Sequence, residues 1–248
     1  KYFPASLKPP HLPELGSQPG IVVRSRADEY FRAATRRRSS TSAPMIAGIP
    51  AETLPGERRV SITPGVIPAL TEAGLEVLLE AGAGQSAGFT DTAYLNKGAR
   101  VAANRADVFG EADIILQVRT PGASPTSGQS ELDLLRPDQT VIGFSDPLSE
   151  PSLARDLGSR GVTCFSMELI PRITRAQSMD ALSSMATIAG YKAVIVAAER
   201  LPRMFPMMMT AAGTVTPARV FVVGAGVAGL QAIASARRLG AKVEAYDV

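Results

Sequence analysis

Residues 219–230 read Arg-Val-Phe-Val-Val-Gly-Ala-Gly-Val-Ala-Gly-Leu, and this stretch decides the fold. Its first part, Val220 to Val223, is an apolar and mostly β-branched run that predicts a strand. Glycines then stand in the spacing G-x-G-x-x-G, at Gly224, Gly226 and Gly229. An apolar stretch with helical character, Val227 to Leu239, follows them. A glycine triplet between a strand and a helix is typical of a turn that binds a dinucleotide.

Each glycine has its own physical reason in such a turn. Gly224 permits the tight turn, Gly226 lets the backbone approach a pyrophosphate, and Gly229 lets the helix lie close on the strand. The free N–H groups at the start of the helix, from Val227 onward, attract the phosphates. We therefore predict that Gly224, Gly226, Val227 and Gly229 bind the dinucleotide cofactor.

The unit continues with a second strand. Gly240 ends the helix, Lys242 to Tyr246 form the strand, and Asp247 stands at its end. A carboxylate there accepts hydrogen bonds from an adenosine ribose. The plainer alternative is a solvated turn residue. Residues 218–248 thus predict the first β-α-β unit of a dinucleotide-binding Rossmann domain.

The charge of the chain is concentrated at its start. The net charge is +3, but residues 1–43 hold 8 Lys and Arg against 3 acids, which leaves 18 against 20 for the rest. A near-neutral body gives no basic surface for nucleic acid, so no nucleic-acid partner is expected. The Arg- and Ser-rich segment 1–43 resembles an organelle transit sequence. A disordered leader is the alternative.

Counts of single residue types exclude several chemistries. Cys164 is the only cysteine and His11 the only histidine. The globular part therefore has no disulfide and no cysteine-based metal cluster, and its chemistry cannot rest on histidine acid/base catalysis, so no metal site is predicted. The longest uncharged apolar runs, such as 220–230, are shorter than the roughly 18 residues of a membrane helix. Direct membrane insertion by this segment is not expected.

From Met45 onward, short apolar strands alternate with helical stretches, which predicts an α/β domain with a mostly parallel sheet over residues 44–202. Residues 203–217, broken by prolines and a glycine, are predicted to be a linker. The predicted strands are 45–49, 75–80, 100–103, 113–118, 140–144 and 162–166. The helices predicted between them are 64–73, 91–97, 106–111, 131–135 and 151–159.

A long helix is predicted over residues 178–201, with Ser178 as its N-cap. One of its faces is polar and carries Asp180, Ser183, Ser184, Thr187 and Tyr191. Its apolar residues are expected to face the core, namely Met179, Leu182, Met185, Ile188 and Ala189. The polar face follows Arg172 and Arg175 and has few charges, so it suits a ligand wall better than a solvated surface.

Four segments together resemble a known family. They read Gly-Ile-Pro-Ala-Glu at 48–52, Glu-Arg-Arg-Val-Ser-Ile-Thr-Pro at 57–64, Pro-Arg-Ile-Thr-Arg-Ala-Gln-Ser-Met-Asp and onward at 171–194, and Phe-Pro-Met-Met-Met-Thr-Ala-Ala-Gly at 205–213. They resemble the NAD(H)-binding domain I of proton-translocating NAD(P) transhydrogenase. The resemblance implies a Rossmann-like N-terminal domain with a parallel sheet, followed by the start of the dinucleotide-binding Rossmann domain.

The resemblance also implies roles for single residues. Arg172, Asp180 and Ser183 would hold the nicotinamide end of NAD(H), with Tyr191 near the site. Gln177 would project toward a second nucleotide, NADP(H), on a partner domain, so that Arg172, Gln177 and Asp180 surround the reacting ends. The structural alternative is an Arg172–Asp180 ion pair at the start of a helix.

The activity implied is hydride transfer from NADH to NADP+, coupled to proton translocation through a membrane domain. The implied partners are that membrane domain, an NADP(H)-binding domain III and a second copy in a homodimer. The implied location is the mitochondrial inner membrane, facing the matrix, or the cytoplasmic face of a bacterial inner membrane if the leader is not a transit sequence. By itself, the fragment is expected to be inactive.

Alanine dehydrogenase is the related alternative, with a similar fold and opening. That family is expected to show a catalytic His after the strand that ends near Phe144 and a substrate-binding Lys near Val118. This chain reads Phe-Ser-Asp-Pro at 144–147 and Gln-Val-Arg at 117–119. A non-catalytic NAD-binding fragment is the third possibility.

Overall fold

The computed structural model describes residues 44–123 and 128–248, so the predicted leader at 1–43 lies outside the described residues. The chain forms two compact units that divide between Phe165 and Ser166. The linker predicted from the sequence lies later in the chain, at 203–217. The reason for the difference is that the long helix packs against the helix after the glycine turn, and both belong to the C-terminal unit.

The N-terminal unit is built on a six-stranded parallel sheet, which confirms the predicted α/β class. Its strand order is β3-β2-β1-β4-β5-β6. The direction of the strand order reverses between β1 and β4, as in doubly wound Rossmann sheets. The strands are β1 (Met45–Ile49), β2 (Leu75–Glu80), β3 (Arg100–Ala102), β4 (Ile114–Arg119), β5 (Thr140–Phe144) and β6 (Thr163–Ser166).

Short helices connect these strands. They are α1 (Ile67–Glu72), α2 (Asp91–Leu95), α3 (Arg105–Glu111), α4 (Gly128–Leu132) and α5 (Pro151–Ser159). Side-chain caps fix where two of them begin: Thr90 Oγ1 accepts from Ala93 N before α2, and Asn104 Oδ1 accepts from Asp107 N before α3. Most predicted boundaries agree with the observed ones to within two residues, but α4 begins and ends three residues earlier than predicted, and α1 begins three residues later because a 3-10 helix occupies Pro64–Val66.

Three apolar clusters form the core of this unit, and the smallest of them joins Leu78, Ala102 and Val108. The two larger ones span most of the elements. One joins Ile49, Val77 and Leu79 of the sheet to Ile67 and Tyr94. The other gathers buried side chains from β4, β5, α3, α4 and α5, including Ile115, Val141, Phe109, Leu132 and Leu157. Burying each large side chain contributes about 1.5–3 kcal/mol. The strands of the sheet are therefore held in place by the helices that pack against them.

The C-terminal unit contains one long helix, a hairpin and a β-α-β motif. Its elements are α6 (Ala181–Arg200), β7 (Met208–Thr210), β8 (Gly213–Val215), β9 (Arg219–Val223), α7 (Val227–Arg238) and β10 (Lys242–Tyr246). Strands β9 and β10 pair in parallel, with Arg219 opposite Lys242. The predicted first β-α-β unit is thus confirmed.

The core of the C-terminal unit lies between α6, α7 and the β9–β10 pair. Val194 of α6 and Ala236 of α7 are buried there beside Phe205 and Ala218. Residues 203–217, predicted as a plain linker, thus contribute a core aromatic residue. They also form the antiparallel hairpin β7–β8, whose residues are exposed.

Two predictions about α6 are wrong. Its N-cap is Asp180 and not Ser178, because residues 174–179 form a 3-10 helix and the Asp180 carboxylate reaches the backbone of the first α-turn. Of the apolar residues predicted to face the core, Met179, Leu182, Ile188 and Ala189 are exposed and Met185 is half-buried, whereas the buried residues of α6 are Gly190 and Val194. The reason is that α6 meets α7 through small residues, which allow a close approach.

The part of the chain that the structure describes contains one helix, α6, whose length and composition would allow it to cross a membrane. It does not stand out as an uncharged run because Lys192 interrupts it. Core helices of soluble proteins also pass this test, so the observation is weak evidence. The absence of membrane insertion stays a prediction.

Candidate dinucleotide-binding site

In doubly wound sheets, ligands bind at the carboxyl ends of the strands where the strand order reverses. In the N-terminal unit this place, between β1 and β4, is taken by the side chain of Glu52. Its two carboxylate oxygens accept from Val118 N at 2.6 Å and from Arg119 N at 3.1 Å. Burial raises the pKa of Glu52, although these two hydrogen bonds oppose the shift. A carboxyl group therefore fills the crevice from within.

More acidic side chains surround this crevice. The Glu131 carboxylate is almost fully buried and accepts from Arg105 Nη2 at 2.6 Å and from Gln117 Nε2 at 3.0 Å. Glu57 Oε2 accepts from Arg59 Nη2 at 2.6 Å and from Arg119 Nε at 3.2 Å. Acidic groups that already have partners in the chain do not favour binding of a phosphate. The N-terminal crevice is therefore a poor dinucleotide site.

The glycine turn of the C-terminal unit has the opposite character. Gly224 has φ +89°, a left-handed conformation that favours glycine. An added Cβ at Gly229 would lie 1.7 Å from the carbonyl oxygen of Gly224, so α7 touches the turn at this point. An added Cβ at Gly226 would meet nothing within 4 Å. The turn thus has free space beside Gly226, where a ligand can approach the backbone.

Helix α7 begins at this open space. Gly226 is its N-cap, and no side chain in the described part of the chain caps it. The N–H groups of the first turn, which begins at Val227, are therefore free of side-chain acceptors. Such a helix N-terminus binds anions through its N–H groups and its dipole. The residues present fit a pyrophosphate group.

Asp247 closes the same turn from the other strand. Its Oδ2 accepts from Ala225 N at 2.8 Å, and its Oδ1 accepts from Val248 N at 2.9 Å. Each carboxylate oxygen has a second lone pair, so the exposed group keeps the capacity to accept from ribose hydroxyls. Asp247, the residue predicted to bind the adenosine ribose, therefore lies at the glycine turn, and it also holds that turn through its hydrogen bond from Ala225 N.

The loop before α6 forms a small open pocket. It is lined by Arg172, Ile173, Thr174, Ala176, Gln177 and Asp180. Three of these residues, Arg172, Gln177 and Asp180, are the ones that the sequence analysis assigns to the reacting end. The other three were missed because short apolar and hydroxyl side chains in a loop give no signal of their own.

Asp180 is held by Ser183. Its Oδ1 accepts from Ser183 N at 2.9 Å, and its Oδ2 accepts from the Ser183 hydroxyl at 2.6 Å. These two hydrogen bonds, with a smaller contribution from the charge of Arg172, lower the pKa of Asp180. In the described part of the chain the Arg172–Asp180 ion pair considered as an alternative is not formed. The carboxylate is thus fixed and ionised at the edge of the pocket.

Tyr191 is not in this pocket. It lies eleven residues after Asp180 in the chain, about 16 Å along α6 at a rise of 1.5 Å per residue. Its side chain is exposed. Between residues 44–123 and 128–248, no three His, Cys, Asp or Glu side chains are grouped to hold a metal ion.

Two family profiles match the chain. Alanine dehydrogenase/PNT, N-terminal domain, matches residues 48–189, and alanine dehydrogenase/PNT, C-terminal domain, matches residues 193–248. Together they cover nearly all of the described residues.

Several characterised proteins are similar to the chain. The first portion of the NAD(P) transhydrogenase alpha subunit of Rhodospirillum rubrum is 48% identical over 204 residues, which are 82% of this chain and 53% of that protein. Alanine dehydrogenase of Methanococcus maripaludis is 31% identical over 207 residues, 82% of this chain and 53% of that protein. The crystal structure of transhydrogenase from Sinorhizobium meliloti has 49% identity and a TM-score of 0.76, with 82% of this chain and 56% of that chain covered. The chain thus spans about half the length of these relatives.

Proposed function

The chain belongs to the alanine dehydrogenase/PNT family, and on this basis we propose that it is the NAD(H)-binding part of a proton-translocating NAD(P) transhydrogenase. The observation that carries the proposal is that one compact unit holds both the Arg172–Asp180 pocket and the glycine turn. The higher identity to transhydrogenase subunits than to alanine dehydrogenases supports the same choice.

The glycine turn would bind the phosphate end of NAD(H). The backbone at Gly224 and Gly226 leaves room for the pyrophosphate, and the N–H groups from Val227 donate to it. Gly229 keeps α7 on the turn, so these donors are aimed at one place. Asp247 would accept from the adenosine ribose with its remaining lone pairs.

The pocket before α6 would orient the nicotinamide end. The Arg172 guanidinium donates and the Asp180 carboxylate accepts, which matches the carbonyl and the NH2 of a carboxamide. Ser183 holds Asp180 in place and so belongs to the same group. Tyr191 lies farther along α6, and its proposed place is beside the glycine turn and not in the pocket.

When bound, NADH supplies a hydride for NADP+, and no side chain need act as a general base. The residues of this chain contribute by fixing the geometry, since orientation alone supplies on the order of 7–11 kcal/mol in well-aligned reactions. Gln177 lies exposed at the pocket and would face the second nucleotide. The single histidine, His11, is outside the described residues and has no part in this mechanism.

Alanine dehydrogenase is the second candidate, and the N-terminal unit argues against it. Its expected lysine position is occupied by Gln117-Val-Arg119, and the Arg119 guanidinium donates to Glu57. Glu57 also binds Arg59, so both arginines are engaged with a carboxylate of the chain itself. A substrate carboxylate would have to displace Glu57 to use them.

The proposed whole protein contains further parts. An NADP(H)-binding domain III and a membrane domain would complete the enzyme, and the NAD(H)-binding part would form a homodimer. The proposed location is the mitochondrial inner membrane, facing the matrix, or the cytoplasmic face of a bacterial inner membrane. Bacterial relatives named as alpha subunits and as parts of subunits support an enzyme of several domains.

The test compares two activities of the full-length protein in sealed vesicles. We expect the vesicles to reduce an NADP+ analogue with NADH, and we expect this reaction to change the pH inside them. We expect no formation of NADH from alanine and NAD+. The isolated 248-residue chain serves as the control and should be inactive in both assays. Alanine-dependent NADH formation by the full-length protein would favour the second candidate.

A further inference from the structure

Helix α6 meets α7 through a glycine. Gly190 is buried, and an added Cβ there would lie 2.1 Å from the carbonyl oxygen of Ala228 and 2.9 Å from its carbonyl carbon. Both are backbone atoms, so they cannot turn aside as a flexible side chain would. Only glycine at this position allows the two helices to approach so closely.

The contact falls on the first turn of α7. Ala228 follows Val227, the first residue of α7, so the atoms that meet Gly190 belong to the turn whose N–H groups face the open space at Gly226. Asp180 caps the N-terminal end of α6, ten residues before Gly190, which lies at the middle of the helix about 15 Å farther along it. Helix α6 therefore connects the nicotinamide-end pocket to the glycine turn as one rigid element.

Helix propensity does not account for this glycine. Glycine inside a helix costs about 1 kcal/mol relative to alanine. Alanine at 190, with the helices slightly farther apart, would therefore favour the helix itself. At Gly110 and Gly158, the helical glycines of α3 and α5, an added Cβ would meet nothing within 4 Å. Gly190 differs from them because its missing Cβ sets the spacing of two elements.

We propose that Gly190 is a positioning residue for the dinucleotide, because it sets the spacing between the Arg172–Asp180 pocket and the glycine turn. This inference rests on the proposed function. A Cβ at 190 must move from 2.1 Å to at least 3.0 Å from the Ala228 oxygen, which displaces one helix by about 1 Å. Displacements of this size far from the reacting atoms can cost about 100-fold in rate.

The effect should depend on how much of the ligand is present. NADH must occupy the Arg172–Asp180 pocket and the glycine turn at the same time. A change in the distance between them therefore lowers the affinity that NADH gains from carrying the nicotinamide and the pyrophosphate in one molecule. ADP carries the adenosine ribose and the pyrophosphate but no nicotinamide, so it needs only the glycine turn. Gly190→Ala should therefore weaken the binding of NADH and leave the binding of ADP nearly unchanged.

The experiment is a titration of the full-length protein with NADH and with ADP. For Gly190→Ala we expect about tenfold weaker NADH binding and less than a twofold change for ADP. Gly158→Ala makes the same chemical change in open space and should alter neither. Unchanged NADH binding in Gly190→Ala, or an equal loss for both ligands, would overturn the inference. A wild-type protein that binds ADP but not NADH would refute the proposed function, and this inference with it.

A second measurement needs no variant, so it applies even if Gly190→Ala does not fold. Amide hydrogen exchange of the wild-type protein is compared with and without ADP. Because Gly190 abuts the first turn of α7, ADP should slow exchange in that turn and also in residues 188–194 of α6, but not in α5. Slowing confined to α7 would show that the contact transmits nothing and would overturn the inference.

Discussion

Asp180 has two roles that mutation can separate. It is the N-cap of α6, and it is the proposed acceptor for the NH2 of the nicotinamide carboxamide. Asn caps helices about as well as Asp. In Asp180→Asn the amide oxygen keeps the hydrogen bond from Ser183 N, and the new NH2 donates to the Ser183 hydroxyl, so the helix start should survive. The carboxamide of the ligand, however, would meet a donor in place of an acceptor.

The expected magnitudes follow from these contacts. Asp180→Asn should lower hydride transfer in the full-length protein about tenfold or more, because a ligand donor loses its acceptor, while the melting temperature changes by about 1 °C. Asp180→Ala should abolish hydride transfer and also remove the helix cap, and loss of the cap lowers the melting temperature by about 2–4 °C for a chain of roughly 150–250 residues.

A matched control exists in the N-terminal unit. Asn104 caps α3 in the same way, with its Oδ1 accepting from Asp107 N at 2.9 Å. Asn104→Ala should lower the melting temperature as Asp180→Ala does, but leave hydride transfer at the wild-type rate. Stopped-flow transfer rates and thermal melts of the three variants decide the matter. Wild-type transfer in Asp180→Asn would refute the role in binding and leave Asp180 as a cap alone.

Three further predictions concern other parts of the chain. A 2′-phosphate near Asp247 would place like charges about 4 Å apart, a repulsion of roughly 2 kcal/mol after screening, so NADH should bind about thirtyfold more tightly than NADPH. Asp247→Ser should abolish this ratio in titrations at one ionic strength, and an unchanged ratio would reduce Asp247 to a turn residue. Removal of residues 1–43 should leave the melting temperature unchanged, because their composition cannot bury enough apolar surface, and a drop of many degrees would contradict this. The hydrogen bond from Arg59 lowers the pKa of Glu57 to about 2 in the folded protein, so its stabilising effect is present above about pH 4.5 and is lost as the pH falls toward 2. Glu57→Gln should flatten the acid limb of stability in this window, and superimposable acid melts would disprove it.

Much of the fold can be predicted from the sequence because its signals are local. The strand Thr140–Phe144 and the helix Pro151–Ser159 have the bounds that apolar runs and a starting proline indicate. The β-α-β unit of 218–248 is equally clear, since the spacing of its glycines between a strand and a helix is a local signal: Gly224 has a left-handed φ and Gly229 lets α7 touch the turn. The site residues of the loop before α6 came from the resemblance and not from any periodicity.

What could not be predicted depends on contacts between distant segments. Ser178 and Asp180 are both good N-cap residues, and the choice between them is made by the 3-10 helix that precedes Asp180. The buried face of α6 is set by the backbone of Ala228, so Gly190 is buried while Ile188 is exposed. Side-chain hydrophobicity does not report how closely two backbones approach.

Three consecutive methionines, Met207 to Met209, lie at the start of the hairpin β7–β8 and differ in solvent exposure. Met207 is 61% exposed, Met208 40% and Met209 82%. Oxidation of methionine to its sulfoxide follows exposure, and it makes an apolar side chain polar. Mild peroxide should therefore modify Met209 first and Met208 last, and peptide mass spectrometry separates the three rates. In the assembled protein, any reversal of this order would map which side of the hairpin a neighbouring surface covers.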